Sequence, residues 1–543
     1  MQEKSQQIDI AVVGAGGAGL TAGLAAAEQG ASARVFEASG LVGGTYAYSA
    51  GQVWAAGTRQ EREAGIDDTV EDGIAHARRL SAGRHDEGIL HTYMTELPAV
   101  LEWLAGSHGF DHELLRGFPD YYAELEGGRL EGRYLAPLPF NRNDLPVEWR
   151  DRLVRGPMYA DVPARYSEVV TWGGFGRAFE WDWDMLRERA AAGFVGFGTA
   201  TAGYLLSAAL RAGVTVSLEH RLSALRPVDD GWELTFETPD GALEVRASAV
   251  ILCTGGYEAS RERQAEFDFG PAVPAAGSPW VDGHPIRLAL EQGAAFADVA
   301  GQLVLPTLEI PGEQYQGEQV RRLATRELGL PGGLAVNSRG ERYADESFYR
   351  DLVAEMVRLD GVSQMYPNLR THLIIDEQAR DRYALGPLAP GEKPEWLISA
   401  DSPRELAAAI GVDAETLSRT IERFNEGAAR GVDPDFGRGE RAFGRVNGDR
   451  DHAPNPNLRP LSGRLFAVPI VAASVGSSGG LRFDSDGRVL DWGGRALPGL
   501  YCAGNAGAGL VEGQWYNSGI ANGRGLLFGY RAARDAAGRT RSA

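Results

Sequence analysis

Cysteine is almost absent: Cys253 and Cys502 are the only two in 543 residues. Both sit in short apolar runs, far apart in the chain. They are expected to be reduced, buried small hydrophobes, although a pairing in space is also open to them. No His/Cys cluster has metal-ligand spacing, so no metal site is expected. Basic charge is scarce too. Lys and Arg number 54 against 74 Asp and Glu, a formal net charge of −20. Such a surface repels nucleic acid and anionic membrane, and neither is expected as a partner. No apolar run reaches the roughly eighteen residues that a membrane-spanning helix needs. The first seven residues are polar, which predicts no signal peptide, no stable membrane insertion and a cytoplasmic location. What is plentiful is glycine, with 72 residues gathered in motifs rather than in a repeat. With 43% hydrophobic and 24% charged residues the composition is globular, and the length calls for two domains.

The first glycine motif organises the rest. Ile8 to Val13 is an apolar run of strand length that ends directly in Gly14-Ala-Gly16-Gly-Ala-Gly19. Leu20 to Gln29 reads as an Ala-rich helix, and Val35-Phe36 then delivers Glu37. Strand, tight turn, helix, strand and acid are the required context of a dinucleotide fingerprint. Gly14 permits the turn, Gly16 lets the backbone approach a pyrophosphate, and Gly19 lets helix and strand pack closely. The pyrophosphate is expected at the helix N-terminus, where free N–H groups and the helix dipole favour an anion. Glu37 is expected to accept hydrogen bonds from a ribose diol.

After Glu37 come Val42-Gly-Gly-Thr45, then Ser49-Ala-Gly51, then Trp54 and Ala55. A nicotinamide domain has no need of a second glycine cluster there, and no second GxGxxG follows a strand. The arrangement resembles the FAD site of the fumarate reductase and 3-ketosteroid dehydrogenase superfamily, where this segment wraps the flavin with small residues and hydroxyls. The resemblance implies bound FAD, with Gly17, Ala18, Ala38, Gly43, Gly44, Thr45, Ser49 and Gly51 in its site. Singly, each hydroxyl also fits an ordinary loop hydrogen bond; as a spaced set they favour FAD. The covalent-flavin histidine of succinate dehydrogenases has no counterpart, so non-covalent FAD is expected.

Residues 60 to 105 read as helical, with Leu97, Val100, Leu101 and Leu104 forming a core face. Residues 110 to 185 carry Tyr121, Tyr122, Trp149, Tyr159, Trp172, Trp181 and Trp183 with little periodicity. They suit the wall of an apolar cavity and a plain hydrophobic interface equally. A helix over 200–212, a strand over 214–218 and a hairpin around Pro239-Asp-Gly241 lead to a buried strand from Ala249. It ends in Cys253-Thr254-Gly255-Gly256, which resembles the "ATGG" return to the FAD sheet and adds Thr254, Gly255 and Gly256 to the cofactor set. From about residue 296 the pattern turns mixed. Leu334 to Tyr343 reads as two short strands around a turn, followed by a helix over 352–359, a strand over 372–376 and a helix over 414–426. The chain returns near residue 460. Residues 499–505 are a strand entering a glycine loop, and 519–533 the last helix, which brings Gly504, Asn505, Gly519 and Ile520 to the flavin. The expected fold class is α/β. A Rossmann-like FAD-binding domain, residues 1–295 and 461–543, carries an inserted α+β substrate (catalytic) domain, residues 296–460.

The sharpest resemblance spans 421–534: Arg423-Phe-Asn425, Gly431 to Glu440, Pro454 to Leu458, Gly476-Ser-Ser-Gly-Gly-Leu481, Gly499 to Asn505 and Gln514-Trp-Tyr-Asn-Ser-Gly519. With Pro119-Asp-Tyr-Tyr122, Gly127-Gly128 and Pro137 to Phe140, it is similar to the 3-ketosteroid 1-dehydrogenase branch across nearly the whole chain. That branch removes two hydrogens beside a ketone, by tyrosine-mediated α-proton abstraction and β-hydride transfer to flavin N5. The resemblance implies Tyr349 as the base, Tyr121 or Tyr122 as its supporting tyrosine, and Tyr516 with the Ile520 N–H as donors to the developing enolate. Where ketosteroid members carry Tyr-Pro-Gly-Ala-Gly, this chain has Tyr516-Asn-Ser-Gly-Ile520. The Tyr-x-Ser-Gly form is similar to the ketosteroid 4(5α)-dehydrogenases, in which the serine, here Ser518, contributes. Trp515 and Ile520 are bulky; if they face the cavity, a monocyclic ketone such as 4-oxocyclohexanecarboxylate fits better than a steroid. A ring carboxylate further needs an arginine, and Arg133, Arg326 and Arg350 lie near the matched motifs. The reduced flavin is expected to pass electrons to an external acceptor, oxygen or a quinone. Two other readings stay open: a fumarate- or urocanate-type reductase of an activated alkene acid, and a flavin-binding protein without turnover. The reductase fits worse, because its cationic clamps align with Gly329 and Gly476 and are missing from Gln514 to Gly519.

Overall fold

Strand Gln6–Val13 (β1) runs through the middle of an eight-stranded sheet in a computed structural model that describes residues 6–157, 162–297, 302–509 and 517–540. On one side β1 pairs in parallel with Ala33–Phe36 (β2), which pairs in parallel with Thr215–Ser217. On the other it pairs in parallel with Gly241–Leu252, which pairs in parallel with Ala496–Cys502. Ile10 to Val12 are fully buried within the main core, against which α1 and the last helix pack. Gly17–Glu28 (α1) packs against the last helix, Ile520–Thr540, through a stripe of alanines that includes Ala18, Ala22, Ala25 and Ala26. The Arg221–Val228 and Gly231–Thr238 hairpin joins the sheet edge antiparallel to Gly241–Leu252. Cys253 and Cys502 are buried free thiols. The Rossmann-like α/β expectation therefore holds.

A second sheet is antiparallel throughout. Its order is Glu318–Leu323, Gln302–Tyr315, Leu465–Ser477, Thr371–Asp376, Gly333–Val336, with Ile398–Ala400 also on Leu465–Ser477. Helices Tyr349–Met356, Pro403–Ile410 and Ala414–Ala428 pack on it through Leu352, Val353, Leu406, Leu417 and Ile421. Because Leu465–Ser477 is this sheet's central strand, we propose that the substrate domain extends through Ser477 rather than ending at residue 460.

Two local expectations change. The stretch over 60–105 is three helices, Arg59–Glu63, Val70–Leu80 and Glu87–His108, with Leu97, Val100, Leu101 and Leu104 buried as expected. The segment after the turn at Gly340 is no strand. Arg342 leaves the sheet to bind Glu346 at 2.7 Å and Asp433 at 2.8 Å. Glu346 is 1% exposed and also meets Arg438, which donates to the carbonyls of Leu328, Leu330 and Gly333. These two guanidiniums hold the Glu346 carboxyl below its ordinary range despite burial. Removing one partner strands a charge in the interior, so Arg342→Ala should cost about 3–5 kcal/mol of stability. Urea denaturation followed by circular dichroism measures it.

Candidate active site

A cavity of about 530 Å³ runs from the carboxyl ends of β1 and β2 to the second sheet. At the first end Gly14 turns with φ +104°, and a Cβ on Gly19 would come within 1.8 Å of the Gly14 oxygen, so helix and turn pack as the fingerprint requires. A Cβ on Gly16 would meet nothing closer than 3.8 Å, which leaves an open cradle at the start of α1, a helix with no side-chain cap. Glu37 closes the loop. Its carboxylate accepts from the Ala15 N–H at 2.8 Å and from the Ser39 N–H and hydroxyl at 2.9 and 2.8 Å. Burial pushes this carboxyl up while those donors pull it back. In the cavity wall the Tyr46 and Thr254 hydroxyls are buried without a hydrogen-bond partner among the described residues. An uncapped helix start, an open glycine cradle, an acid at the end of β2 and orphaned wall hydroxyls fit a dinucleotide.

The far end is aromatic. Tyr121 and Tyr349 line the cavity, 6% and 4% exposed, with ring centres 5.5 Å apart edge to face. Phe443 meets both edge to face. Asn517 fixes the Tyr121 backbone: its Oδ1 accepts from the Tyr121 N–H at 2.8 Å and from the Tyr134 hydroxyl at 3.2 Å. Burial pushes the Tyr121 phenol up, while the Ser518 and Tyr349 hydroxyls and the Arg350 charge pull it down. Tyr122 turns away, its ring against Phe348 at 5.1 Å, and burial pushes it up to about 12. Tyr349 owes its place to the preceding turn, where the Asp345 carboxylate accepts from the Ser347 N–H at 2.9 Å and its hydroxyl at 2.7 Å.

Gly14, Gly16, Gly17, Ala18, Glu37 and Ala38 line the cavity, as do Gly44, Thr45, Ser49, Thr254, Gly255, Gly504, Asn505, Ser518 and Gly519. Others stand behind it. Gly43 donates to the Ala15 oxygen, Gly51 packs on Phe197 and Gly198, and Gly256 abuts Ser477. Ile520 is buried in the main core, and its N–H donates to the Asn517 oxygen at 3.4 Å, so its side chain does not narrow the cavity. Tyr516 and Trp515 lie outside the described residues, as does Tyr159. Of the three arginines, Arg133 is spent on Asp68 and Asp120, whereas Arg326 and Arg350 line the cavity. Trp181 and Trp183 also line it, while Trp149 and Trp172 pack on the core, so the aromatic stretch serves both purposes. Tyr46, Glu258, Ser278, Phe443 and Asn522 are further lining residues that no spacing in the sequence revealed. Among the described residues no group of His, Cys, Asp or Glu could hold a metal, and no helix is long and apolar enough to cross a membrane.

The FAD binding domain family model matches residues 9–522, and the chain belongs to that family of FAD-dependent oxidoreductases. Its relatives include 4-oxocyclohexanecarboxylate 2-dehydrogenase of Sinomonas cyclohexanicum, 34% identical over 539 residues, covering 98% of this chain and 93% of that one. The 3-oxosteroid 1-dehydrogenase of Mycolicibacterium smegmatis is 31% identical over 575 residues, covering 98% and 97%. Among solved structures, 3-ketosteroid Δ1-dehydrogenase from Sterolibacterium denitrificans, in complex with 1,4-androstadiene-3,17-dione, superposes with a TM-score of 0.89 at 27% identity, covering 98% of this chain and 100% of that one. The cofactor is FAD. Purified protein should be yellow, and heat or acid should release the flavin. Glu37→Ala loses charge-assisted bonds to Ala15 and Ser39 that hold the glycine turn, and should weaken FAD binding about 10- to 100-fold in a fluorescence titration.

Proposed function

We propose that this protein desaturates a cyclic ketone beside its carbonyl, with Tyr349 as the base. The observation that carries the reading is the edge-to-face Tyr121–Tyr349 pair in the same cavity as the dinucleotide cradle. An α-proton beside a ketone is weakly acidic, so its removal needs a base and donors for the enolate oxygen. A phenol with an ordinary pKa of about 10 becomes such a base when neighbours stabilise its anion. Tyr121, supported by Ser518, is the neighbour here. Tyr516 is proposed as an enolate donor, a contact worth about 3–4 kcal/mol; the Ile520 N–H is instead directed at the Asn517 carbonyl. Bound FAD would supply the two-electron acceptor for the β-hydrogen, which leaves as hydride, and an external acceptor, oxygen or a quinone, would reoxidise it.

For the substrate we favour a monocyclic keto acid over a steroid. Supporting this are the relative that acts on 4-oxocyclohexanecarboxylate and the cavity-lining guanidinium of Arg326, since a ring carboxylate calls for a cation. The steroid reading keeps the support of the 0.89 structural likeness. The enoate reductase reading loses ground on packing. Side chains on Gly329 or Gly476 would meet Asn447 or Asn505 at 2.6 Å, so neither position has room for a cationic clamp.

Tyr349→Phe should keep FAD and lower turnover by about 10²–10⁴, the usual range for a general base. Near-normal turnover would move the base elsewhere. With one artificial acceptor, initial rates should be higher for 4-oxocyclohexanecarboxylate than for androstenedione; the reverse order would return the steroid as substrate.

A further inference from the structure

The aromatic chamber poses an electrostatic problem. Tyr121, Tyr349, Phe348 and Phe443 form one small buried cluster, where burial takes a phenolate out of bulk solvent. Removal from water disfavours the charged form. Arg350 directly follows Tyr349 in the helix Tyr349–Met356. It is 1% exposed, lines the cavity, and its guanidinium carbon lies 5.8 Å from the Tyr349 ring centre. The Arg350 charge also bears on Tyr122, whose ring is braced by Phe348.

Resting on the desaturase reading above, we propose that Arg350 is a positioning residue for the proton step: its buried guanidinium supplies the positive field under which Tyr349, coupled to Tyr121, takes the α-proton. The C–H electron pair stays with the substrate and the proton passes to the Tyr349 oxygen. Other charges around the chamber are accounted for. Asp351 opposes the field from the same helix, and Arg441 adds to it at Tyr122. Tyr134 faces the pair with Asp120 and Arg133 around it, and Ser518 approaches from the turn before the last helix. Arg350 is the cation that bears on both Tyr121 and Tyr122. This gives the guanidinium a task different from holding a substrate carboxylate, the task left to Arg326.

The test is the pH dependence of kcat/KM for holoenzyme carrying Arg350→Met, Arg350→Gln or Arg350→Lys. Cyclohexanone and 4-oxocyclohexanecarboxylate serve as neutral and anionic substrates, with FAD content checked by absorbance. A base of this kind works when deprotonated, so the rate rises with pH through its pKa. Losing the cation should move that rising limb upward by about 1–2 pH units for both ketones, the size expected for a charge roughly 6 Å away. Rates should converge with wild type above the shifted limb, and Arg350→Lys should restore the wild-type profile. A limb that stays in place in either neutral variant overturns the proposal. So does a KM increase confined to the carboxylated ketone, which would make Arg350 a substrate ligand. Loss of FAD from all three variants would assign Arg350 to the fold and also overturn it. Wild-type protein that turns over neither these ketones nor androstenedione would sink the desaturase reading itself, an outcome distinct from any of these.

Discussion

The buried carboxylate of Glu346 is the interaction on which the substrate side depends. Arg342 and Arg438 neutralise it, and through them it ties the Gly333–Val336 strand to the turn before Tyr349 and to the loop around Asp433. Two cations around one acid leave no uncompensated charge, because Asp433 takes up the second guanidinium. Residues 333–346 and the distant 433–438 loop are thereby locked together, and the helix carrying Tyr349 and Arg350 starts where they meet.

The flavin side rests on weaker but more numerous contacts. Small residues let α1 and the last helix approach, and Glu37 clips the glycine turn to β2. This half needs little side-chain volume, so its cradle is made largely of backbone. The Tyr46 and Thr254 hydroxyls in its wall lack partners among the described residues, which fits a bound dinucleotide.

Between the halves lies the buried tyrosine pair on which the proposed chemistry turns. A tyrosine base needs an environment in which its anion is affordable, and aromatic walls alone make that anion worse. At Tyr121 the Ser518 and Tyr349 hydroxyls and the Arg350 guanidinium work against this burial. An FAD-dependent oxidoreductase can use such a chamber because the proton and the electron pair leave the substrate by separate routes.

The sequence by itself determined the flavin end. The GxGxxG turn, the acid at Glu37 and the hydroxyl-bearing segment after it are local, and local backbone geometry dictates which residues can stand there. The helix face of Leu97, Val100, Leu101 and Leu104 was legible for the same reason, since periodicity follows from a single element. Tertiary structure alone decided the rest. It chose Tyr121 over its neighbour for the cavity, turned Ile520 into the core, drew Arg342 out of a strand and gave Arg133 to Asp68 and Asp120. Each of these outcomes depends on which distant segment supplies the opposing charge or ring, and spacing along one stretch of chain carries no record of that partner.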